Sequence, residues 1–428
     1  MIPAGLDSAA LIGIRRLLHQ HAELAFTEIY TSAVIREVVD GLAAEFEGIH
    51  VGTGRDVMDV SRVVNLPSAE TMRAAAAHAV DLGVDEELAY WIAENGTAVV
   101  VDIKGSRPGE LLGMRFDFDG LPITESAADT HLPRREGFAC DDGTMHACGH
   151  DGHAAIGLVL ARRLAADRDF AGTVRLVFQP AEESVRGGAA MVAAGVGIGI
   201  DSFIGLHLGE GLPAGVIAAS AAHLQATCKY EVDFTGRAAH SAGSPQDGRN
   251  AIGALATTVL GLLSTSRDSR GQTTVNVGKI EGGAATNIIA EHAWLNAEVR
   301  SDVAEVCDAL FARAEATVSG AGEMWGVQTK LTVVSQCPTF TADDAIVERV
   351  LAAAEGVLGV QEIRRAANMN ASDDLAVWAL ETQRQGGQAT FLIVGASSPA
   401  PHHSPEFDID ERILLVACDW LEKIIRGE

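Results

Sequence analysis

The sequence predicts an α/β protein: a domain built on a mostly parallel sheet, interrupted by a smaller βαββαβ domain of ferredoxin-like order. Three observations predict it. Short apolar runs at 111–116, 174–178, 203–206 and 391–394 are continuous and separated by helical patterns, as buried parallel strands are. Between about residues 220 and 335 the rhythm changes to four strands and two helices in split βαβ order. The length, 428 residues, exceeds one ordinary core. The expected divisions are 1–219 for the first part of the larger domain, 220–335 for the smaller one and 336–428 for the return.

The chain opens with helical periodicity at 11–18 and 31–46. Segment 52–97 reads as an inserted helical pair. Ser68 is placed to cap a helix over 70–82 that stops at Gly83, and Asp85 to cap a second that stops at Asn95-Gly96. After the strand at 111–116 comes Asp117-Phe118-Asp119, and a helix over 154–166 follows the run Met145 to His153. The strand at 174–178 leads into Gln179-Pro180-Ala181-Glu182-Glu183, and that at 203–206 into His207. In the smaller domain, strands are expected at 224–234, 273–280, 293–300 and 327–334, with helices over 250–263 and 303–318. The last strand of the larger domain, 391–394, precedes His402-His403.

Composition narrows the function classes. Apolar residues at 47% and charged residues at 21% describe a soluble globular chain. A net charge of -26 argues against nucleic acid or an anionic membrane as partner, and leaves a small-molecule substrate. The first residues carry no basic segment followed by an apolar one, and no apolar run reaches about 18 residues. Cysteines 140, 148, 228, 307, 337 and 418 follow no framework spacing and read as reduced thiols, so the expected location is the cytoplasm.

The chemistry gathers where the strands end. In open α/β sheets functional groups collect beyond the carboxyl ends of the strands. Here those ends carry Glu182, Glu183, His207 and either His402 or His403, while Cys148-Gly149-His150 adds a thiolate and an imidazole at a turn that glycine permits. Borderline divalent metals accept thiolate, imidazole and carboxylate together. Five ligands exceed what one open tetrahedral site needs and suit two ions about 3.5–4 Å apart. Zinc or manganese is expected, with cobalt and nickel also compatible. The neighbouring side chains Glu182 and Glu183 diverge, so one can bind metal while the other serves as general base toward water. Asp117 and Asp119 either solvate a strand end or orient a ligand from behind.

These residues carry a resemblance. The segments 18–24, 115–122, 145–153, 178–183, 205–207, 236–240, 282–289 and 403–407 resemble, in order along the chain, the amidohydrolase branch of the aminoacylase/carboxypeptidase G metallohydrolases. That branch includes aminobenzoyl-glutamate hydrolase subunits and hydrolases of auxin–amino acid conjugates. The resemblance implies that Cys148, His150, Glu183, His207 and His403 are metal ligands and Glu182 the general base. It also implies a homodimer through the smaller domain, with His240 reaching the neighbouring active site to polarise the substrate carbonyl. Asn287 and Arg300 fall where the family contacts substrate, Arg300 being suited to a carboxylate. Against the family's usual Gly-Ser-Glu-Asp this chain has Ala371-Ser372-Asp373-Asp374; Ala22 stands in place of a proline, and Phe116 and Phe118 replace smaller side chains. Those departures fall on the expected substrate pocket.

The expected activity is hydrolysis of a non-peptide carbon–nitrogen bond, the amide of an N-acyl or N-aroyl amino acid, by metal-activated water with Glu182 as base. Two alternatives accompany it: an aminohydrolase releasing ammonia from an electron-poor aromatic amine, and a non-catalytic binding protein on the same fold.

Overall fold

A computed structural model describes residues 8–428 of the chain. The opening segment 1–7, which bears on the expected lack of a leader, lies outside the described residues. Two compact units form. One takes the chain up to Ala222, Phe340–Met369 and Asp373–Glu428; the other is His223–Thr339 with Asn370–Ser372.

The larger unit is organised on an eight-stranded sheet. Its four central strands, Ala171–Gln179, Arg107–Asp117, Ser202–Leu208 and Gln388–Val394, lie side by side and parallel. They are the four runs expected from the sequence, each one to several residues longer. The sheet is extended antiparallel by Val99–Lys104 and Ile49–Thr53 on one side and by Val216–Ala218 on the other, beyond which Glu362–Arg364 adds a last strand parallel to Val216–Ala218. Those additions were not legible as strands: Ile49–Thr53 is only half-buried, and Val216–Ala218 is three residues long.

Within 52–97 the helical pair forms as the capping residues dictate. Ser68 accepts the N–H of Thr71 at the start of Ala69–Asp81, and Asp85 that of Leu88 at the start of Glu86–Asn95. A third helix, His150–Ala166, is apolar on nearly every side and buried along most of its length, so it lies inside the unit rather than on its surface. It approaches the sheet at Gly157, where an added Cβ would stand 2.8 Å from the rings of Phe116 and Phe178. The helix begins four residues earlier than the apolar pattern indicates. Gly149, at φ +86°, makes the turn into it and puts His150 in its first position.

The smaller unit runs Ala226–Thr235, Ala251–Leu263, Thr274–Gly282, His292–Ser301, Ala304–Trp325 and Gln328–Cys337, in βαββαβ order. Its four strands are antiparallel, with Gln328–Cys337 and Thr274–Gly282 at the edges. Tyr230, Val232, Phe234, Leu295 and Val299 form the buried face against the two helices. Asn250 caps the first helix by accepting the N–H groups of Ile252 and Gly253.

Candidate metal centre

Three of the four parallel strands deliver a polar group at the carboxyl end. Asp117 closes Arg107–Asp117, Gln179 closes the strand before Glu182 and Glu183, and His207 is the penultimate residue of Ser202–Leu208. The turn into the buried helix brings Cys148 and His150 to the same edge. Cys148 Sγ lies 3.5 Å from His207 Nε2, and His403 Nε2 lies 3.5 Å from Glu183 Oε2. The donor atoms of Cys148, His150 and His207 fall within 4.8 Å of one another, as do those of Cys148, Glu183 and His403, and those of His150, Glu182 and Glu183. Cys148 belongs to two of these groups and Glu183 to two. All six sequence-predicted groups of the metal centre therefore converge.

The surrounding hydrogen bonds decide which ring nitrogens are available. His150 donates Nδ1–H to the Asp119 carbonyl at 2.9 Å, which leaves a buried Nε2 without a partner. His207 donates Nδ1–H to the Leu208 carbonyl at 2.9 Å, turning its Nε2 toward Cys148. Fixing the tautomer in this way is what a metal-binding imidazole requires. His153 is spent on both sides: Nδ1 faces Asp117 at 2.5 Å and Nε2 accepts the Leu208 N–H at 3.0 Å. His402 gives its Nε2–H to the Leu208 carbonyl at 3.1 Å, so of the adjacent pair it is His403 that faces Glu183. Glu183 Oε1 is buried without a partner. Unpartnered buried imidazole nitrogen and carboxylate oxygen beside a thiol are a donor set that divalent ions fit.

Asp119 shapes the carboxylate pair. Its two oxygens accept the backbone N–H groups of Glu182 and Glu183 at 3.0 Å each. Asp117 receives Arg115 and His153. Arg115, fully buried, also holds Asp373 and reaches Asp374 at 3.0 Å. The altered motif thus places Asp373 and Asp374 in a buried ionic cluster behind the metal centre. The expectation that Phe116 and Phe118 line the substrate pocket is corrected. Both rings are buried in the core, where Phe116 packs against Phe178 and the helix at Gly157.

Burial and the Asp373 carboxylate push the Glu182 carboxyl well above the usual range. Burial acts on Glu183 in the same direction, but the hydrogen bond to His403 and the nearby His150 bring it below the ordinary value. Burial also pushes the Cys148 thiol up and the His207 imidazole down. A divalent ion would reverse the shift of the thiol, favouring thiolate, and would agree with that of the imidazole, which is already held neutral.

Residues 113–427 match peptidase family M20/M25/M40. The chain belongs to this family. It is 36% identical over 414 residues to the indole-3-acetyl-aspartic acid hydrolase of Enterobacter agglomerans, covering 95% of this chain and 93% of that protein. Identity to a p-aminobenzoyl-glutamate hydrolase subunit of Escherichia coli (strain K12) is 35% over 415 residues, covering 96% and 93%. Among solved structures, the aminobenzoyl-glutamate utilization protein of Klebsiella pneumoniae superimposes with a TM-score of 0.82 at 31% identity, over 98% of this chain and 95% of that one. A dinuclear metal-binding peptidase of the M20 family from Bacillus subtilis gives 0.67 at 25% identity, over 98% and 97%. This M20-family chain is a metal-dependent hydrolase of carbon–nitrogen bonds, and its centre takes divalent ions.

The remaining predicted residues lie on the smaller unit. His240 is exposed and pairs through its backbone with Ile288; its Nδ1 accepts the N–H groups of Ala242 and Gly243, which leaves Nε2 facing outward. Asn287 is its neighbour, accepting the Ser241 N–H at its carbonyl. Arg300 is half-buried and donates to Glu298 at 2.9 Å, a partner that a substrate carboxylate must displace.

Several contributors escaped the sequence. Arg115 falls in a segment that carries the family resemblance, but its partners Asp373 and Asp374 are more than 250 positions away. Glu210 carries no pattern at all. It lies 3.3 Å from His207 Nδ1, with a backbone φ of +46°.

Proposed function

We propose that this M20-family hydrolase cleaves the amide of an N-acyl or N-aroyl amino acid, with two divalent ions held by Cys148, His150, Glu183, His207 and His403. The single observation that carries the reading is the position of Glu182. It is a buried carboxylate, 3.9 Å from His150, beside the ligand groups and directed by Asp119. When bound, the ions acidify water and polarise the substrate carbonyl. Glu182 takes the proton from the attacking water and returns it to the leaving amine, a role its raised proton affinity supports. His240 donates from Nε2 to the carbonyl oxygen as charge develops there, with Asn287 beside it. Arg300 exchanges Glu298 for the substrate carboxylate. The thiolate and imidazoles favour zinc, while the carboxylate keeps manganese compatible.

A homodimer through the smaller unit completes the proposal. Leu260, Leu263, Ile280 and Met324 expose 72%, 57%, 54% and 73% of their surface there, an apolar content that a second copy would cover. The E. coli relative is named as one subunit of its hydrolase, in keeping with assembly. Six free cysteines support a reducing, cytoplasmic setting, and among the described residues no helix is long and apolar enough to cross a membrane.

The test is product analysis on metal-reconstituted protein with N-aroyl amino acids and electron-poor arylamines side by side. Free amino acid is expected, falling at least about a hundredfold in Glu182→Gln while bound metal is retained. Ammonia from an arylamine, with every amide inert, would overturn the substrate assignment.

A further inference from the structure

A cavity of about 690 Å³ opens beside the metal centre, between the turn 209–213 that follows the His207 strand and the segment 397–402 that precedes His403. Its walls are apolar at Leu212, Pro213, Pro399 and Pro401. Two members tie it to the metal centre: the His402 ring stands 5.5 Å from that of His207, and Glu210 lies 3.3 Å from His207 Nδ1. Among the described residues, Glu210 is the only acidic one lining the cavity, and no lysine or arginine lines it. A second polar group waits at its rim, the buried Ser398 hydroxyl, which has no partner among the described residues.

Glu210 is held there at a cost in backbone strain. It takes φ +46° between Gly209 and Gly211, themselves at +94° and +71°. A non-glycine residue in this region is costly and persists where its side-chain placement is enforced.

An amide lying across the metal centre presents its acyl group on one side and its amino-acid carboxylate on the other. A cavity with a carboxylate and no cation repels the second and leaves the first. Resting on the amide reading above, we propose that this cavity is the acyl pocket and that Glu210 determines specificity. It selects acyl groups bearing a hydrogen-bond donor, such as an aryl amine, ring N–H or hydroxyl, and rejects acyl groups bearing a carboxylate. The donor hydrogen-bonds to the Glu210 carboxylate while the ring packs on Leu212 and the prolines, and the unused Ser398 hydroxyl serves a second polar substituent. A buried acceptor that goes unpaired with the wrong substrate is an effective discriminator.

The test uses the full chain, metal-reconstituted, with three substrates sharing one amino acid: 4-aminobenzoyl, benzoyl and 4-carboxybenzoyl. Wild type should prefer aminobenzoyl to benzoyl by about tenfold in kcat/KM, with carboxybenzoyl slowest. Glu210→Ala should bring the first ratio to about one and raise carboxybenzoyl relative to both, and Glu210→Gln, which keeps an acceptor oxygen, should restore part of the preference. If Glu210→Ala slows all three equally, Glu210 acts only through His207 and the pocket assignment falls. Dissociation constants of 4-aminobenzamide and benzamide supply a readout that needs no turnover. A preference lost in Glu210→Ala supports the pocket even if no amide is hydrolysed, an outcome that would sink the amide reading alone. Equal binding of both amides to wild type overturns the pocket.

Discussion

Asp119 grips Glu183 by its backbone: Oδ2 accepts the Glu183 N–H at 3.0 Å, while Oδ1 accepts that of Glu182 at the same distance. One carboxylate thereby sets the direction of both neighbouring side chains, and its own carbonyl fixes the His150 tautomer. Replacing Asp119 by Asn puts an amide N–H₂ against one of these donors and breaks that bond. Metal affinity is expected to fall about 10- to 100-fold, the range for partners that orient ligands. Competition with a graded chelator measures it, and unchanged affinity in Asp119→Asn would remove Asp119 from the support of the centre.

His402 and His403 are adjacent in sequence and different in surroundings. His403 faces Glu183, while His402 donates to the Leu208 carbonyl, which also receives His207. His403→Ala should therefore lower bound metal, to about one ion per chain on the two-ion reading. His402→Ala should keep the metal content and lose activity more modestly through a looser His207 and acyl pocket. Metal analysis of the two dialysed variants separates the roles; equal loss in both would count against it.

The four central strands and the small βαββαβ unit were legible because each is a continuous apolar run or a clean alternation closed by turn residues. The convergence of the candidate groups was legible in part for a related reason: Glu182, Glu183 and His207 come just after those runs, while Cys148 and His150 stand at a glycine turn into a helix. The edge strands were not. Ile49–Thr53 is half-buried and only five residues long, so although Gly48 marks a turn before it no apolar run or alternation marks the strand itself. Arg115 with Asp373 and Asp374 was hidden by distance along the chain, since a buried ionic cluster has no spacing to read. Phe116 and Phe118 were misjudged because a difference in side-chain size from the family motif does not say which way those side chains point where both faces of a sheet are covered. Glu210 sits in a glycine turn, where side-chain direction depends on a positive φ that only coordinates supply.

His19 bridges two buried carboxylates, Asp151 at 2.7 Å from Nδ1 and Glu125 at 3.1 Å from Nε2. Burial and the nearby Arg15 push its imidazole down, but the bonds to Asp151 and Glu125 outweigh them and the net shift is upward. A raised value means that the folded state holds the proton more tightly. The His19 contribution to stability is then full below the ordinary histidine value of 6.5 and is lost as pH rises through the raised value. Glu125 is shifted the opposite way, so its share is full above its ordinary 4.5 and is lost as pH falls through the lowered value. His19→Gln should cost about 3 kcal/mol between those limits, because it leaves buried carboxylates short of a cation. Urea unfolding across a pH range of about 5 to 9 should show the gap to wild type narrowing on the alkaline side; a gap that widens there contradicts the assignment.

His240 tests the dimer and the mechanism together. Its Nε2 faces outward on the smaller unit, while Glu182 lies in the larger one. If His240 serves the neighbouring protomer, Glu182→Gln and His240→Ala each inactivate their homodimers for different reasons. A mixed dimer, however, holds one site with Glu182 from the His240→Ala chain and His240 from the Glu182→Gln chain. Two inactive proteins, dissociated and reassembled in equal amounts, should then recover about a quarter of wild-type activity, since random pairing makes half the dimers mixed and each has one whole site. Recovery should vanish when Leu260→Asp is added to both chains and sedimentation shows monomers. A residue acting within its own chain gives no recovery at any mixing ratio, and that result would return His240 to the protomer that carries it.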